Sequence, residues 1–339
     1  MKINIPLKSY RKATVLNTIF GLAMILYLSV PGSAQEQYFF NNNTGNQQGQ
    51  HGFVLNGDKV VSAGWHEVGF NWPAEFTCID TSGNLQWIKQ IDLGAFSSGN
   101  ICYSIDKIDA NNYLAAGTFG NQGGMYMMKF DNNGNVQFVK NFLAASNPIQ
   151  GEGYVAKALS GGNLGIAGWG TAWTPGAVCN GCYVWGIGMG SYTSGWDIFF
   201  VKTDSNGDTT TGFTRKYALG YQFDCVPPFS IWTDSIRSDY PHDFIEVSDG
   251  FLFTGTTWDT RPPGYWQIFL LKTDLSGNVV WCKSYYSGGY CYGYSVVQIP
   301  AVSDYIVVGS VENATRDLFA MRVNSTGNII WSKIYSSPS

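Results

Sequence analysis

The side chains able to do chemistry are few in this 339-residue chain, which carries seven cysteines, three histidines and 24 acidic residues. Cys179-Asn180-Gly181-Cys182 is the only CxxC, and His51, His66 and His242 are the only histidines. A zinc site takes four ligands at recognisable spacing, so this set points to a disulfide-bearing loop and not to a metal. Asp204-Ser205-Asn206-Gly207-Asp208 echoes an oxygen-ligand calcium loop, but Thr209 stands where the sixth-position glycine belongs and Arg215 where the closing carboxylate belongs. That leaves a plain hairpin turn. Tyr240-Pro241-His242-Asp243 sets a histidine beside an acid, yet neighbours on a strand point to opposite faces, which makes His242 a satisfied surface residue. Paired carboxylates for glycoside hydrolysis have many candidates, and no spacing singles any out. No nucleophile elbow, metalloprotease helix, phosphate loop or dinucleotide fingerprint occurs, so no catalytic residue, metal or cofactor is assigned. The remaining chemistry is aromatic. Trp173, Tyr183, Trp185, Tyr192, Trp196, Tyr221 and Trp232 cluster in or beside two long insertions, where they either stack on a sugar or protein partner or pack their loops onto the body.

The element that must carry these loops is a repeated hairpin. QIFLLKTDLSGNVVWCKSY (267–285) is an apolar strand, a polar turn and a second strand with Trp281 and Lys283. It recurs at 75–91, 125–142 and 317–335, and in stretched form at 197–217. Asp80, Asp131, Asp204, Asp274 and Asn324 open the turns, each able to accept backbone amides two or three residues on, and Gly83, Gly134, Gly207, Gly277 and Gly327 supply positive φ. An aromatic column follows (Trp87, Phe138, Phe213, Trp281, Trp331), with Lys89, Lys140, Arg215, Lys283 and Lys333 two residues further on the same face. The rings are expected to fill the space between neighbouring sheets, the basic stems covering them while their charges reach water.

Two more apolar strands precede each hairpin, the second ending at Gly64, Gly117, Gly168, Gly255 or Gly309. A unit of four antiparallel strands recurring about every 50 residues is what a β-propeller blade looks like. The composition agrees, with 16% aromatic, 41 glycines and only 13% charged residues, and no long stretch of helical period after the start. The expected fold is all-β, a β-propeller of about five four-stranded blades at 51–91, 100–142, 152–217, 241–285 and 292–335. Residues 35–50 form an N-terminal strand and polar linker, and the insertions fall at 171–195 and 218–240. Five units are expected to close by packing the fifth on the first. The alternative is an incomplete ring, because Gln37-Tyr38-Phe39-Phe40 competes with the last strand of unit five for one position.

Residues 1–34 read as a signal peptide: Lys2, Lys8, Arg11 and Lys12, then an apolar run from about Ala13 to Val30, then Pro31-Gly32-Ser33-Ala34 before Gln35. An uncleaved anchor is the alternative. Cleavage removes four positive and no acidic residues, taking the formal charge from −4 to −8 (−4 − 4 = −8), a poor balance for nucleic acid. No later run is long enough to span a membrane. The protein is therefore expected to be secreted, periplasmic or on the cell surface. Seven cysteines leave at least one unpaired; Cys282 with Cys291 is a reasonable local pair, and Cys225 could reach Cys179 or Cys182.

The pattern of apolar strand, Asp-x-x-Gly and Trp-x-Lys over 51–335 resembles the β-propeller repeats of secreted bacterial proteins. It is also similar to the tryptophan-docking repeat of quinoprotein propellers, from which it departs in setting Asp274 and Gly277 three apart where that family has four. The resemblance implies a fold more than an activity. The leading expectation is an exported, non-enzymatic propeller that binds an unknown protein or glycan through the aromatic insertions. The alternatives are an exported polysaccharide-acting hydrolase or lyase, and a structural or adhesive surface module.

Overall fold

The computed structural model describes residues 47–66, 73–91, 100–119, 124–142, 151–170, 196–217, 219, 238–259, 265–313 and 315–336. The other residues, including the proposed signal peptide, the insertion rings Trp173, Tyr183, Trp185, Tyr192, Tyr221 and Trp232, and Cys179, Cys182 and Cys225, lie outside the described residues.

Each hairpin turn is held by its first side chain. Asp274 Oδ1 accepts the amides of Ser276 and Asn278 at 2.9 and 2.8 Å, and Asp80, Asp131, Asp204 and Asn324 repeat the arrangement. The turn glycines sit at φ of 76–85°, the left-handed region that side chains avoid. At Asp204 the acid caps its own turn, in keeping with a plain hairpin.

Twenty strands result, in five antiparallel sheets whose order follows the sequence. Blade one holds β1 (Gln47–Asn56), β2 (Lys59–His66), β3 (Ala74–Asp80) and β4 (Leu85–Ile91). Blade two holds β5 (Asn100–Lys107), β6 (Asn112–Phe119), β7 (Met125–Asp131) and β8 (Val136–Phe142). Blade three holds β9 (Gly151–Ala158), β10 (Leu164–Gly170), β11 (Asp197–Thr203) and β12 (Phe213–Tyr217). Blade four holds β13 (Asp239–Val247), β14 (Gly250–Asp259), β15 (Tyr265–Thr273) and β16 (Val279–Tyr285), so Asp239 and Tyr240 belong to a strand and not to the insertion before it. Blade five holds β17 (Tyr290–Ile299), β18 (Asp304–Glu312), β19 (Arg316–Val323) and β20 (Ile329–Tyr335). The first strands β1, β5, β9, β13 and β17 lie side by side in that order, and the fold is a β-propeller of five blades.

Four apolar layers fill the gaps between consecutive blades. Between blades three and four, for example, Phe200 meets Phe244, Phe251 and Phe253 at 4.9–5.1 Å between ring centres. The first strands have no ladder partner on their inner edge, and side chains satisfy some of those amides instead. Ser104 Oγ accepts the Ala156 amide at 3.0 Å, Asp106 Oδ2 that of Ala158 at 2.9 Å, and Asp243 Oδ2 that of Val296 at 3.0 Å.

The hairpin columns form the outer junctions. Trp87 and Lys89 lie on Gly134 of the next blade, Phe138 and Lys140 on Gly207, Phe213 and Arg215 on Gly277, and Trp281 and Lys283 on Gly327. The rings do fill between blades, half-buried. The basic heads do not simply reach water: Lys140 pairs with Asp208 at 2.7 Å, Lys283 donates to Asn328 at 2.7 Å, and Arg215 donates to the Ser276 carbonyl at 2.9 Å. Tyr217 and Tyr285 hydroxyls donate to the Gly277 and Gly327 carbonyls at 2.9 and 2.7 Å.

The fifth junction is not made in this way. Gly134, Gly207, Gly277 and Gly327 are buried under the preceding blade, but Gly83 of blade one is half-exposed, and Lys333 and Tyr335 of blade five are exposed. Among the described residues the expected packing of unit five on unit one is not made, and blade one differs from the other blades on that side. The cross-strand pair that blades two to five give to this layer is Ala115–Met128, Ile166–Val201, Phe253–Leu271 and Val307–Met321. In blade one it is Ser62–Thr77, and Glu75 stands where Tyr126, Phe199, Phe269 and Phe319 are buried. Sealing that face would bury a carboxylate among apolar side chains. Substitution separates the two cases: Trp281→Ala should cost about 2–3 kcal/mol, short of the full price of a buried Trp, and Trp331→Ala under about 1 kcal/mol. Equal losses in urea melts would mean that the fifth junction is packed like the others.

The cysteine pairing is also corrected. Cys282 packs in the layer between blades three and four and Cys291, on blade five, in the layer between blades four and five, so the two lie on opposite sides of blade four and are not joined.

Candidate functional site

The strand-end glycines explain where the functional side chains point. An added Cβ on Gly117, Gly168, Gly255 or Gly309 would stand 1.8–1.9 Å from the carbonyl oxygen of Ile101, Glu152, Tyr240 or Tyr292 on the first strand beside it. None of the four has a positive φ, so what they supply is room. The room admits a β-bulge in each first strand, with one extra residue between paired neighbours. Cys102 and Ser104 pair with Gly117 and Ala116, which leaves Tyr103 over; Tyr154, His242 and Tyr294 are the extra residues of β9, β13 and β17.

These four form an arc across blades two to five. Tyr103 meets Tyr154 edge to face at 5.0 Å, Tyr154 stacks on His242 at 5.6 Å, and His242 meets Tyr294 at 5.7 Å. His242 is therefore no bland surface residue. Alternation, which would send it away from the arc, fails at a bulge because the extra residue is re-aimed.

Glu152 lies in the same place, two residues before Tyr154. The Trp169 indole donates to its Oε2 at 3.2 Å, and Tyr103 and Tyr154 also bond its carboxyl. Burial raises its pKa above the ordinary 4.5, and the three donors only partly offset that. Burial, with Glu152 nearby, holds the phenols of Tyr103 and Tyr154 well above their ordinary value, so both stay protonated donors. Tyr240 is pushed up to about 12, again chiefly by burial.

An aromatic wall adjoins the carboxyl. Trp169 lies against Trp196 at 4.6 Å, and Tyr240 meets these rings edge-on at 5.9 and 5.3 Å. Trp196 follows the insertion 171–195 directly and Ser238 closes the second insertion. The two residues bridge, and the Asp239 amide donates to the Trp196 carbonyl at 2.7 Å. The roots of both insertions therefore meet beside Glu152. Of the seven sequence-chosen rings, Trp196 is the one within the described residues. Sequence reasoning missed Tyr103, Glu152, Tyr154, Trp169, His242 and Tyr294. A signal existed: Tyr103, Tyr154, His242 and Tyr294 precede the strand-end glycines of their own blades by 13–15 residues. Among the described residues no group of three or more His, Cys, Asp and Glu is arranged to hold a metal ion, and no helix is long and apolar enough to cross a membrane.

No protein-family model and no curated protein matches the sequence. Solved structures do resemble it. A periplasmic gluconolactonase of Pseudomonas aeruginosa is 11% identical, with a TM-score of 0.48 over 85% of this chain and 71% of that one. An ulvan lyase of polysaccharide lyase family PL25 is 9% identical, with a TM-score of 0.46 over 83% and 68%. A thermostable family-43 glycoside hydrolase is 11% identical, with a TM-score of 0.43 over 88% and 98%. These are likenesses of fold. The expectation of a non-enzymatic binder that uses only its aromatic insertions is corrected here, since the inner strands gather a carboxyl of raised pKa, buried phenols and a histidine.

Proposed function

We propose that the protein is an exported enzyme acting on a glycan, with its centre at Glu152, Tyr154 and His242, and that its reaction is the elimination of a uronate-containing polysaccharide. The observation that carries this reading is one protonatable carboxyl amid hydrogen-bonding phenols, with a histidine stacked on one of them. Hydrolysis with two carboxylates calls for a second acid about 5–9.5 Å away. Among the described residues, the nearby acid Asp239 has both oxygens engaged, by the Leu219 amide at 2.8 Å and the Thr257 hydroxyl at 2.6 Å. Elimination needs no second carboxylate. His242 takes the proton at C5, the C5 electron pair forms the C4=C5 double bond, and the C4–O4 bond breaks. The Tyr154 hydroxyl returns a proton to the departing O4. Glu152, whose burial disfavours the carboxylate, in its protonated form donates to the substrate carboxylate and avoids the repulsion that an ionised acid would impose. Trp169 and Trp196 offer flat faces to the neighbouring sugar. A signal peptide and a secreted destination suit a polymer that does not enter cells.

The test is to incubate the purified protein with a panel of uronate polysaccharides and follow the ultraviolet absorbance of 4,5-unsaturated product. A rise with at least one substrate is expected. New reducing ends without unsaturation, or no cleavage of any member, would overturn the elimination reading.

A further inference from the structure

The ring wall beside Glu152 does not stop at Tyr240. Tyr240 meets Trp266 at 5.6 Å between ring centres, and Trp266 meets Trp258, its partner across β14 and β15, at 4.9 Å. Trp258 stacks on Tyr290 at 6.4 Å, Tyr290 meets Tyr265 at 5.7 Å, and Tyr265 stacks on Tyr286 at 5.1 Å. The run is unbroken from Trp169, whose indole bonds Glu152. Register places it at the same end of the propeller as Glu152. Trp266 stands three residues before Phe269, as Trp196 stands three before Phe199, and the two phenylalanines pair with Gly255 and Gly168. Further along β15 the layer is sealed, with Ile268 and Leu270 1 and 0% exposed, whereas Tyr290 and Tyr286 are 39 and 47% exposed. The run ends at the surface.

We propose that this run is an extended glycan subsite, taking further sugars of the polymer held at Glu152, Tyr154 and His242. The inference rests on the proposed glycan reading for the class of ligand, and on the rings for its path. Flat ring faces suit the C–H faces of sugars, and phenol and indole edges suit their hydroxyls. The fold itself does not call for a ring at the Trp266 position, since the same position of blade two is Gly123. In blade five that position is Arg316, three residues before Phe319, and its guanidinium lies over the Tyr292 ring at 5.8 Å. Planar groups thus stand at one level on blades three, four and five, the order in which a chain leaving Glu152 would meet them. The acid paired with Tyr290 across the strands is Glu312, and Arg316 binds it at 2.9 Å, so it does not repel an anionic chain.

Affinity electrophoresis through gels holding polygalacturonate, alginate or hyaluronan tests this, with His242→Ala as the background so that the polymer stays intact. Retardation by at least one of the three is expected. Tyr290→Ala and Trp266→Ala should each raise the dissociation constant about tenfold, the worth of one stacked ring. Urea melts check the fold, and the exposed Tyr290 carries the test if Trp266→Ala misfolds. Retardation that depends on the rings, with no cleavage by the wild type, would remove the elimination reading and leave the subsite standing. Cleavage with retardation indifferent to both ring variants would do the reverse and overturn the subsite. So would no retardation by any of the polymers, or a self-association in sedimentation velocity that Tyr290→Ala abolishes.

Discussion

Gly168→Ala is expected to destabilise the protein by about 3 kcal/mol or more, and to abolish whatever activity depends on Glu152 even where the chain still folds. The methyl would stand 1.9 Å from the Glu152 carbonyl oxygen and 2.8 Å from the Gly153 Cα, both backbone atoms with no side-chain freedom to yield. Relief requires β9 to move off β10 at its bulge. That movement carries Glu152 away from Trp169 and Tyr154 away from His242, whose contacts are the site's geometry. A control isolates the cause. Gly57 has φ of 65° and nothing within 4 Å of an added Cβ, so Gly57→Ala bears only the left-handed penalty of about 1–2 kcal/mol and leaves the site untouched. Urea titrations of both variants read the difference. If the two cost the same, room for the bulge is not what Gly168 provides.

The blades were legible because their information is local. An acid at the turn, a glycine three residues later and a ring four beyond that in most copies fix each hairpin within its own stretch. The site was not legible in the same way. Glu152 meets Tyr103 and Trp169 across two blades, and nothing in its neighbourhood sets it apart from the other acids. His242 was misplaced by applying strand alternation, a rule that holds only where pairing is regular. The glycines that make the pairing irregular were visible but read as strand ends. The open junction was visible too: AEFTCID (74–80) places Glu75 and Thr77 where IFLLKTD (268–274) has Phe269 and Leu271, a change of polarity that the repeat of turn residues hides. Cys282 and Cys291 failed as a pair for a related reason, since nearness in sequence across a blade boundary does not put two side chains in the same layer.

His242→Ala and Tyr154→Phe should each lower kcat for glycan elimination by about 10²–10⁴-fold, the usual worth of a positioned proton-transfer group. Glu152→Gln should behave differently. The proposed role of Glu152 is to be neutral, and its pKa in the folded protein lies above the ordinary 4.5 because burial disfavours the carboxylate. Activity that needs the neutral form is complete at low pH in this respect and declines as pH rises through the raised value. The amide cannot ionise, so Glu152→Gln should keep much of kcat and lose that decline. Stability follows the same sign. A carboxyl with a raised folded pKa contributes stability fully present below its unfolded pKa and lost as pH rises through the folded one. The wild-type unfolding free energy should therefore slope downward across that window, and Glu152→Gln should flatten it. Tyr154→Phe leaves the carboxyl in place with one donor fewer, which raises its pKa further and moves the decline to higher pH. A residue that merely packs would lower kcat without moving the profile. Parallel pH–rate curves for wild type and Glu152→Gln would remove Glu152 from the chemistry and leave it a positioning residue for Tyr103 and Tyr154.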